Sequence, residues 1–336
     1  MSDFRPIDPE GGLLFVTALP GRAEDFARDV ENAWSSLDAG TPASPVWIHL
    51  DRTKERAQRW VRERSGLDGH IAEALLAEET RPRFEAHEQG VLVMFRGVNM
   101  NPGAEPDDLI SLRLWVEPAR VITLRTFRFR TITDLRVKAQ GGAAPATPGA
   151  FLSAVALGLG ARLAPVVENL DGMLDDVEED LVDRPDEADD GDRSVLATIR
   201  RQAITYRRYM TPQRDAMSGL ALLDTPVLDA RAKAELRHAA DQIARVVEDF
   251  EELRDRATVT SDELRARREM QLNRSTYILT LVASVALPLG LLTGLLGVNV
   301  GGIPGEGDHW GFAGVCVLMV IIAGLEIAVL KKMRWL

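Results

Sequence analysis

One side chain in the run GVNVGGIPG, Gly297 to Gly305, could act on a passing solute. Asn299 is polar and neutral, and its amide both donates and accepts hydrogen bonds. The run is dense in glycine, which permits positive φ and close backbone approach. If several copies ringed one axis, the Asn299 oxygens would form a collar of dipoles. Such a collar can hydrogen-bond the water shell of a cation without holding it too tightly to leave. Glu306 and Asp308 in the same loop would add a negative field that concentrates cations. A plain turn closed by an asparagine cap accounts for the same residues, and chemistry alone leaves both readings open.

Elsewhere the chemistry is sparser. From Asp171 to Asp192 there are 12 acidic residues in 22. Carboxylates are hard ligands suited to Mg²⁺ or Ca²⁺, but the spacing matches no calcium loop. A solvated helical surface is the plainer reading, and a low-affinity divalent sensor is the alternative. His49, His70 and His87 stand singly, and no shared metal site is expected of them. There is no Walker motif, no G-x-G-x-x-G and no nucleophile–base constellation, so an enzyme is disfavoured. The net charge of −11 argues against a general nucleic-acid binder, and the single cysteine, Cys316, excludes an intrachain disulfide.

The elements that would hold Asn299 in place are legible. Tyr277 to Leu296 is uncharged and mostly apolar, about 30 Å as a helix, the thickness of a bilayer core. A second apolar run covers Phe312 to Leu330. Arg265, Arg267, Arg268 and Arg274 precede the first run, Lys331, Lys332 and Arg334 follow the second, and the connecting loop has no Lys or Arg. The positive-inside rule then places both ends in the cytoplasm and the loop outside. Trp310 and Trp335 sit at opposite interfaces. The amino terminus does not read as a signal peptide. Glu326 lies near the cytoplasmic end of the second span, where it can snorkel or pair with Lys331 or Lys332.

One span pair cannot enclose a polar path, so a transporter built this way needs several copies. The first span carries Thr276, Thr280, Ser284, Gly290, Thr293 and Gly294, small or hydroxyl side chains suited to close packing or wet contact. Pro288 removes an i→i−4 bond and can bend that helix. The second span is richer in bulky aliphatics and suits lipid.

The rest of the chain reads as α/β, then helical. Leu13–Leu19, Val46–Leu50, Val91–Arg96, Leu109–Val116 and Arg120–Thr126 read as strands. Arg52–Arg64, Ile71–Glu79 and Thr131–Gln140 read as helices. Beyond the Gly141–Gly149 linker, Ala150–Asp183 and Asp192–Leu223 read as two long helices. Ile243, Val246, Val247, Phe250 and Leu253 make one apolar stripe, and a single helix from about Leu228 to Leu296 is expected. The expected domains are 1–148 (cytoplasmic α/β), 149–275 (helical stalk), 276–298 (first span, pore-lining), 299–310 (outer loop), 311–330 (second span) and 331–336 (basic tail).

An acidic cytoplasmic domain, a long helix entering the membrane, two C-terminal spans and G-x-N-x-G-G-x-P-G between them resemble the CorA metal-ion transporter family over essentially the whole chain. The family triplet is usually Gly-Met-Asn. Here it is Gly297-Val298-Asn299, which with Val300 to Gly305 is similar to the ZntB zinc-transporter branch. The resemblance implies a funnel-shaped homopentamer in the bacterial inner membrane, with the first span lining the pore and Asn299 meeting the hydrated ion. In the family register Pro288 falls on a conserved proline, and Thr276, Leu279, Ala283, Leu287, Gly290 and Gly294 form the pore face. Asp262 falls where magnesium channels of the family place a metal-sensing acid, and His309 beside Asp308 could meet zinc at the mouth. The branch is associated with Zn²⁺ movement coupled to H⁺. No permanently bound cofactor is implied; the transported ion is Zn²⁺, with Mg²⁺, Co²⁺ or Ni²⁺ as alternatives. A membrane-anchored sensor that passes no ion is the reading from another class.

Overall fold

The computed structural model describes residues 6–20, 30–38, 45–105, 107–183, 190–297 and 309–332. By contacts, the described residues up to Asp180 and those from 190 to Ser261 form one compact unit. Residues 181–183 and those from Asp262 onward belong to a second.

The first unit begins with β1 (Leu13–Ala18), α1 (Val30–Asp38), β2 (Val46–Asp51), α2 (Glu55–Glu63) and α3 (Gly69–Leu76). There follow β3 (Arg83–Ala86), β4 (Val91–Val98), β5 (Leu109–Glu117), β6 (Arg120–Arg125) and α4 (Arg130–Gln140). The strands make one sheet in the order β1-β2-β6-β5-β4-β3. Only β2 and β6 pair in parallel, Trp47 opposite Val121 and Leu50 opposite Leu124; the other pairs are antiparallel. Parallel pairing needs a long crossover, and the chain supplies one through α2, α3 and the β3–β5 meander.

Alternation along the strands fills both faces. Ile48, Leu50, Leu92, Met94 and Trp115 pack with Trp34 of α1, Trp60 and Val61 of α2, and Ile71 and Leu75 of α3. On α2 the buried set Ala57, Trp60 and Val61 has i, i+3, i+4 spacing, so that helix turns one stripe to the sheet. Asp68 caps α3 by accepting from the His70 backbone N–H at 2.8 Å. On the opposite face Trp47, fully buried, meets Phe151 with ring centroids 4.6 Å apart. Arg113 is buried on β5; its Nη2 donates to the carbonyls of Ala77 and Glu78 just beyond α3. Burial first, then Arg52 and Arg96 nearby, pushes its pKa down to about 10.

The remaining helices are α5 (Pro148–Gly160), α6 (Ala164–Asp183), α7 (Asp190–Leu222), α8 (Ala230–Leu296) and α9 (Gly311–Lys332). Thr147 caps α5 and Pro148 opens it. The expected continuous helix over Ala150–Asp183 is in fact α5 and α6, separated by a turn at 161–163. Pro165 explains the break: proline has no N–H to donate to the carbonyl of Ala161 and disfavours helical backbone at Ala164 before it. In the first unit α7 and α8 share buried side chains, with Tyr206 stacked on Phe250 at 4.8 Å and 8°. All five residues of the expected stripe on α8, Ile243 to Leu253, are buried.

The five expected strands and the helices at 52–64, 71–79 and 131–140 are found within a few residues of their expected ends. The elements α1 and β3 were not anticipated. β3 has four residues, mostly polar, and owes its existence to pairing with β4 rather than to its own pattern.

Candidate ion pathway

Among the described residues, three segments are long and apolar enough to cross a membrane: 148–183, Ala230–Leu296 and Gly311–Lys332. Burial separates them. In the first, 44% of the most apolar window is buried inside the protein, and the segment is broken into α5 and α6. The windows in α8 and α9 are 0% and 6% buried. Long apolar helices whose side chains find no protein core need another apolar medium. The C-terminal part of α8 and all of α9 are therefore the membrane segments.

Within the span of α8, Leu281, Val285, Leu289 and Leu292 are partly covered. Their i, i+4, i+8, i+11 spacing defines one stripe. Thr276, Leu279, Leu287, Gly290 and Gly294 are exposed, with Ala283 half-buried. At about 100° per residue these six positions lie on the side of α8 opposite the covered stripe. Leu279 and Leu287 are 70% and 71% exposed, and a side chain at Gly290 or Gly294 would meet open space. In α9 a comparable stripe is partly covered at Gly311, Val315, Met319, Ile322, Glu326 and Leu330.

The hydroxyls of the first span bond back to their own helix. Thr280 donates to the Thr276 carbonyl at 2.8 Å, Ser284 to Leu281 at 2.9 Å, and Thr293 to Leu289 at 3.1 Å. Their donors are satisfied within the helix, and their lone pairs stay open to other partners. The α8 helix continues through Pro288 without interruption. Gly297 closes it, donating its N–H to Thr293 O at 2.9 Å. Val298, Asn299, Glu306 and Asp308 lie outside the described residues.

The candidate metal ligands are not brought together. Asp262 is exposed, with Arg265 Nη1 at 3.7 Å. His309 is exposed in the turn before α9. Among the described residues no group of three or more His, Cys, Asp or Glu is arranged to hold a metal ion. Glu326 differs from the expectation of a pair with a neighbouring lysine: its Oε2 is buried and has no hydrogen-bond partner among the described residues.

The acidic stretch has an owner that sequence spacing hid. Arg256 on α8 reaches Asp171, Asp175 and Glu178 on α6, each at 2.7 Å. Thr260 donates to Glu178 at 3.2 Å. The hydrogen bonds it donates to Glu178 and Asp175 hold the guanidinium firmly charged. The partners are 78 to 85 residues apart, so no local motif could announce them.

An α/β unit followed by helices, the last two segments apolar and uncovered, is the build of a membrane transporter with a large domain outside the bilayer. Residues 42–332 match the model of the CorA-like Mg²⁺ transporter protein family, and the chain belongs to that family of divalent-cation transporters. Over 331 residues it is 36% identical to the divalent cation transporter CmaX of Pseudomonas aeruginosa, covering 97% of this chain and 98% of that one. It is 33% identical over 299 residues to the zinc transport protein ZntB of Pectobacterium carotovorum subsp. carotovorum, covering 89% and 90%. The solved full-length CmaX protein superposes with a TM-score of 0.82 at 34% identity, covering 98% and 99%. Members of this family are transporters, and the enzyme reading falls away.

Proposed function

We propose that copies of this chain assemble, five in number by family resemblance, so that the Thr276–Gly294 face of α8 lines a path for Zn²⁺ across the bacterial inner membrane. Both termini lie in the cytoplasm, and Asn299 stands at the outer mouth with Glu306 and Asp308 beyond it. The observation that carries the reading is the exposed stripe on α8, opposite the side that the protein partly covers. A single chain leaves that face with nothing to pack on, and a ring of copies gives it a shared axis. The Gly297-Val298-Asn299 triplet and the relatives named as zinc transport proteins support Zn²⁺ as the ion. The first span has no Cys or His, which suits passage of a hydrated ion rather than a tightly bound one.

Glu326 supports coupling to protons. It is the only charged residue in either apolar run, and its buried Oε2 has no hydrogen-bond partner among the described residues. A channel for Mg²⁺, or for Co²⁺ or Ni²⁺, is the second reading, favoured by the description of the family model. The sensor reading loses ground because Arg256 already occupies three of the carboxylates it would use.

The test is uptake of labelled Zn²⁺ into proteoliposomes across imposed pH gradients. We expect uptake that follows the gradient, altered flux or selectivity in Asn299→Ala, and loss of the pH response in Glu326→Gln. Mg²⁺ flux indifferent to the gradient would overturn the zinc–proton reading. Unchanged flux in Asn299→Ala would overturn the pathway.

A further inference from the structure

The long helices of the first unit carry their charge unevenly. From Arg200 to Leu222, α7 has five arginines and one acid, Asp215. At about 100° per residue, Arg200, Ile204, Arg207, Arg208 and Arg214 fall on one side of that helix. The other side holds the buried Ala203, Tyr206, Met210 and Gln213. The arginine side is an outer surface, and two large apolar side chains stand bare along it: Ile204 is 51% exposed and Leu222 80%. Its charge is answered only in part. Arg207 pairs with Glu251 of α8 at 2.6 Å, and Arg214 with its neighbour Asp215 at 2.7 Å. Arg200 and Arg208 have no ion pair among the described residues.

The acids gather elsewhere. Glu168, Asp176 and Glu179 are exposed on one side of α6, around Gly172, where an added side chain would meet open space. Glu248, Asp249 and Glu252 are exposed on α8. None of these six has an ion pair among the described residues. The two sets adjoin, since Asp171 of α6 acts on Asp249 of α8. Burial, then the charges of Glu252 and Glu248, raise the Asp249 pKa above its ordinary value, and Arg245 offsets them only in part.

The basic and acidic faces lie on different flanks. The α8 helix meets α7 through Phe250 and Glu251, and α6 through Arg256 and Thr260. By the same helical angle these two pairs point to nearly opposite sides of α8. A body that is basic on one flank and acidic on the other cannot satisfy both within one chain. A contact joining two different patches repeats from copy to copy, and it closes a ring where its rotation allows. Arginine beside bare apolar side chains is also the composition that protein interfaces favour.

We propose that in the assembly inferred above, on which this inference rests, the arginine face of α7 in one copy packs against the acidic face of α6 and α8 in the next. The occupant is a second copy because each chain carries the complement of its own exposed face. Like faces repel, so α7 does not meet α7.

The experiment uses full chains in membranes, all with Cys316→Ala. Ile204→Cys and Gly172→Cys chains are expressed separately and together, then treated with a short bis-maleimide. We expect a cross-linked dimer from the mixture and none from either chain alone. Arg200→Glu with Arg208→Glu should cut the mixed product about tenfold, because it sets like charges face to face. Asp176→Arg with Glu179→Arg in the Gly172→Cys chain should then restore it. Leu287→Cys, read in parallel, reports assembly by itself. If Leu287→Cys cross-links and the mixture does not, this contact falls while the assembly stands and the arginine face belongs to another occupant. If neither cross-links, both fall. Dimers from Ile204→Cys chains alone would make the contact two-fold and overturn the proposal. So would a yield unmoved by the charge reversal, or one that falls and is not restored.

Discussion

Arg256 shows how one side chain can change the meaning of a composition. Three carboxylates of a stretch that reads as a solvated surface, with a cation sensor as the alternative, are held by a guanidinium carried on another helix. We expect Arg256→Gln to cost about 1–2 kcal/mol in chemical unfolding, a figure reduced for the partial exposure of the acids. The variant should also gain more stability from added Mg²⁺ than the parent chain, because its acids are left unmatched. Equal gains would show that Arg256 does not neutralise them. His49 makes a second residue-scale prediction. Its pKa is lowered on folding, so as pH falls below its ordinary value of 6.5 the unfolded chain takes up the proton first. Stability should be full above about that pH, fall as pH drops toward the folded-state value, and level off below it. Thermal unfolding between pH 7.5 and 5.5 checks this, and His49→Gln should flatten the slope. Neither residue's role was legible in the sequence. Arginine partners scattered over the chain leave no periodic trace, and a lone histidine has none.

At the scale of elements, glycines mark where helices come close. A side chain at Gly149 would strike the Val227 backbone carbonyl, which cannot rotate away, while one at Gly172 on α6 would meet open space. We therefore expect Gly149→Ala to destabilise the first unit by roughly 1–3 kcal/mol and Gly172→Ala to stabilise it by up to about 1 kcal/mol. Paired unfolding curves decide it, and the same sign for both would refute the contact. Most elements could be read in advance because they carry their own signal. Val91–Val98 and Leu109–Glu117 are apolar strands bounded by turn residues, and the α8 stripe keeps its period through Leu253. The failures were places where the signal is non-local or overridden: β3 exists by pairing, and Pro165 divides an otherwise helical run. The exposed face of α8 could be named from the family register.

For the whole molecule, assembly is the property that function demands. Cys316 is exposed on α9 and is the chain's only cysteine, so Cys316→Ala gives a clean background. In it, Leu287→Cys should cross-link between copies in the bilayer under mild oxidation. Val320→Cys, on an exposed face of α9, should not. Cross-links from Val320→Cys alone would place the wrong helix at the axis. The sheet topology bears on how such a molecule is made. Because β6 sits between β2 and β5, the sheet closes only when Arg125 has been synthesised, and about 150 further residues separate it from the first span. At ribosomal speeds of about 5–20 residues per second that interval is roughly 8–30 s, longer than a mixed α/β domain needs to fold. The insertion machinery would then meet the apolar run of α8 on a nascent chain whose amino-terminal half is already protease-resistant. Ribosome-arrested chains ending near residue 275 should show that resistance. A domain that folds first cannot easily be threaded across, so the order of synthesis would favour the topology proposed above, with the folded unit left on the ribosome's side.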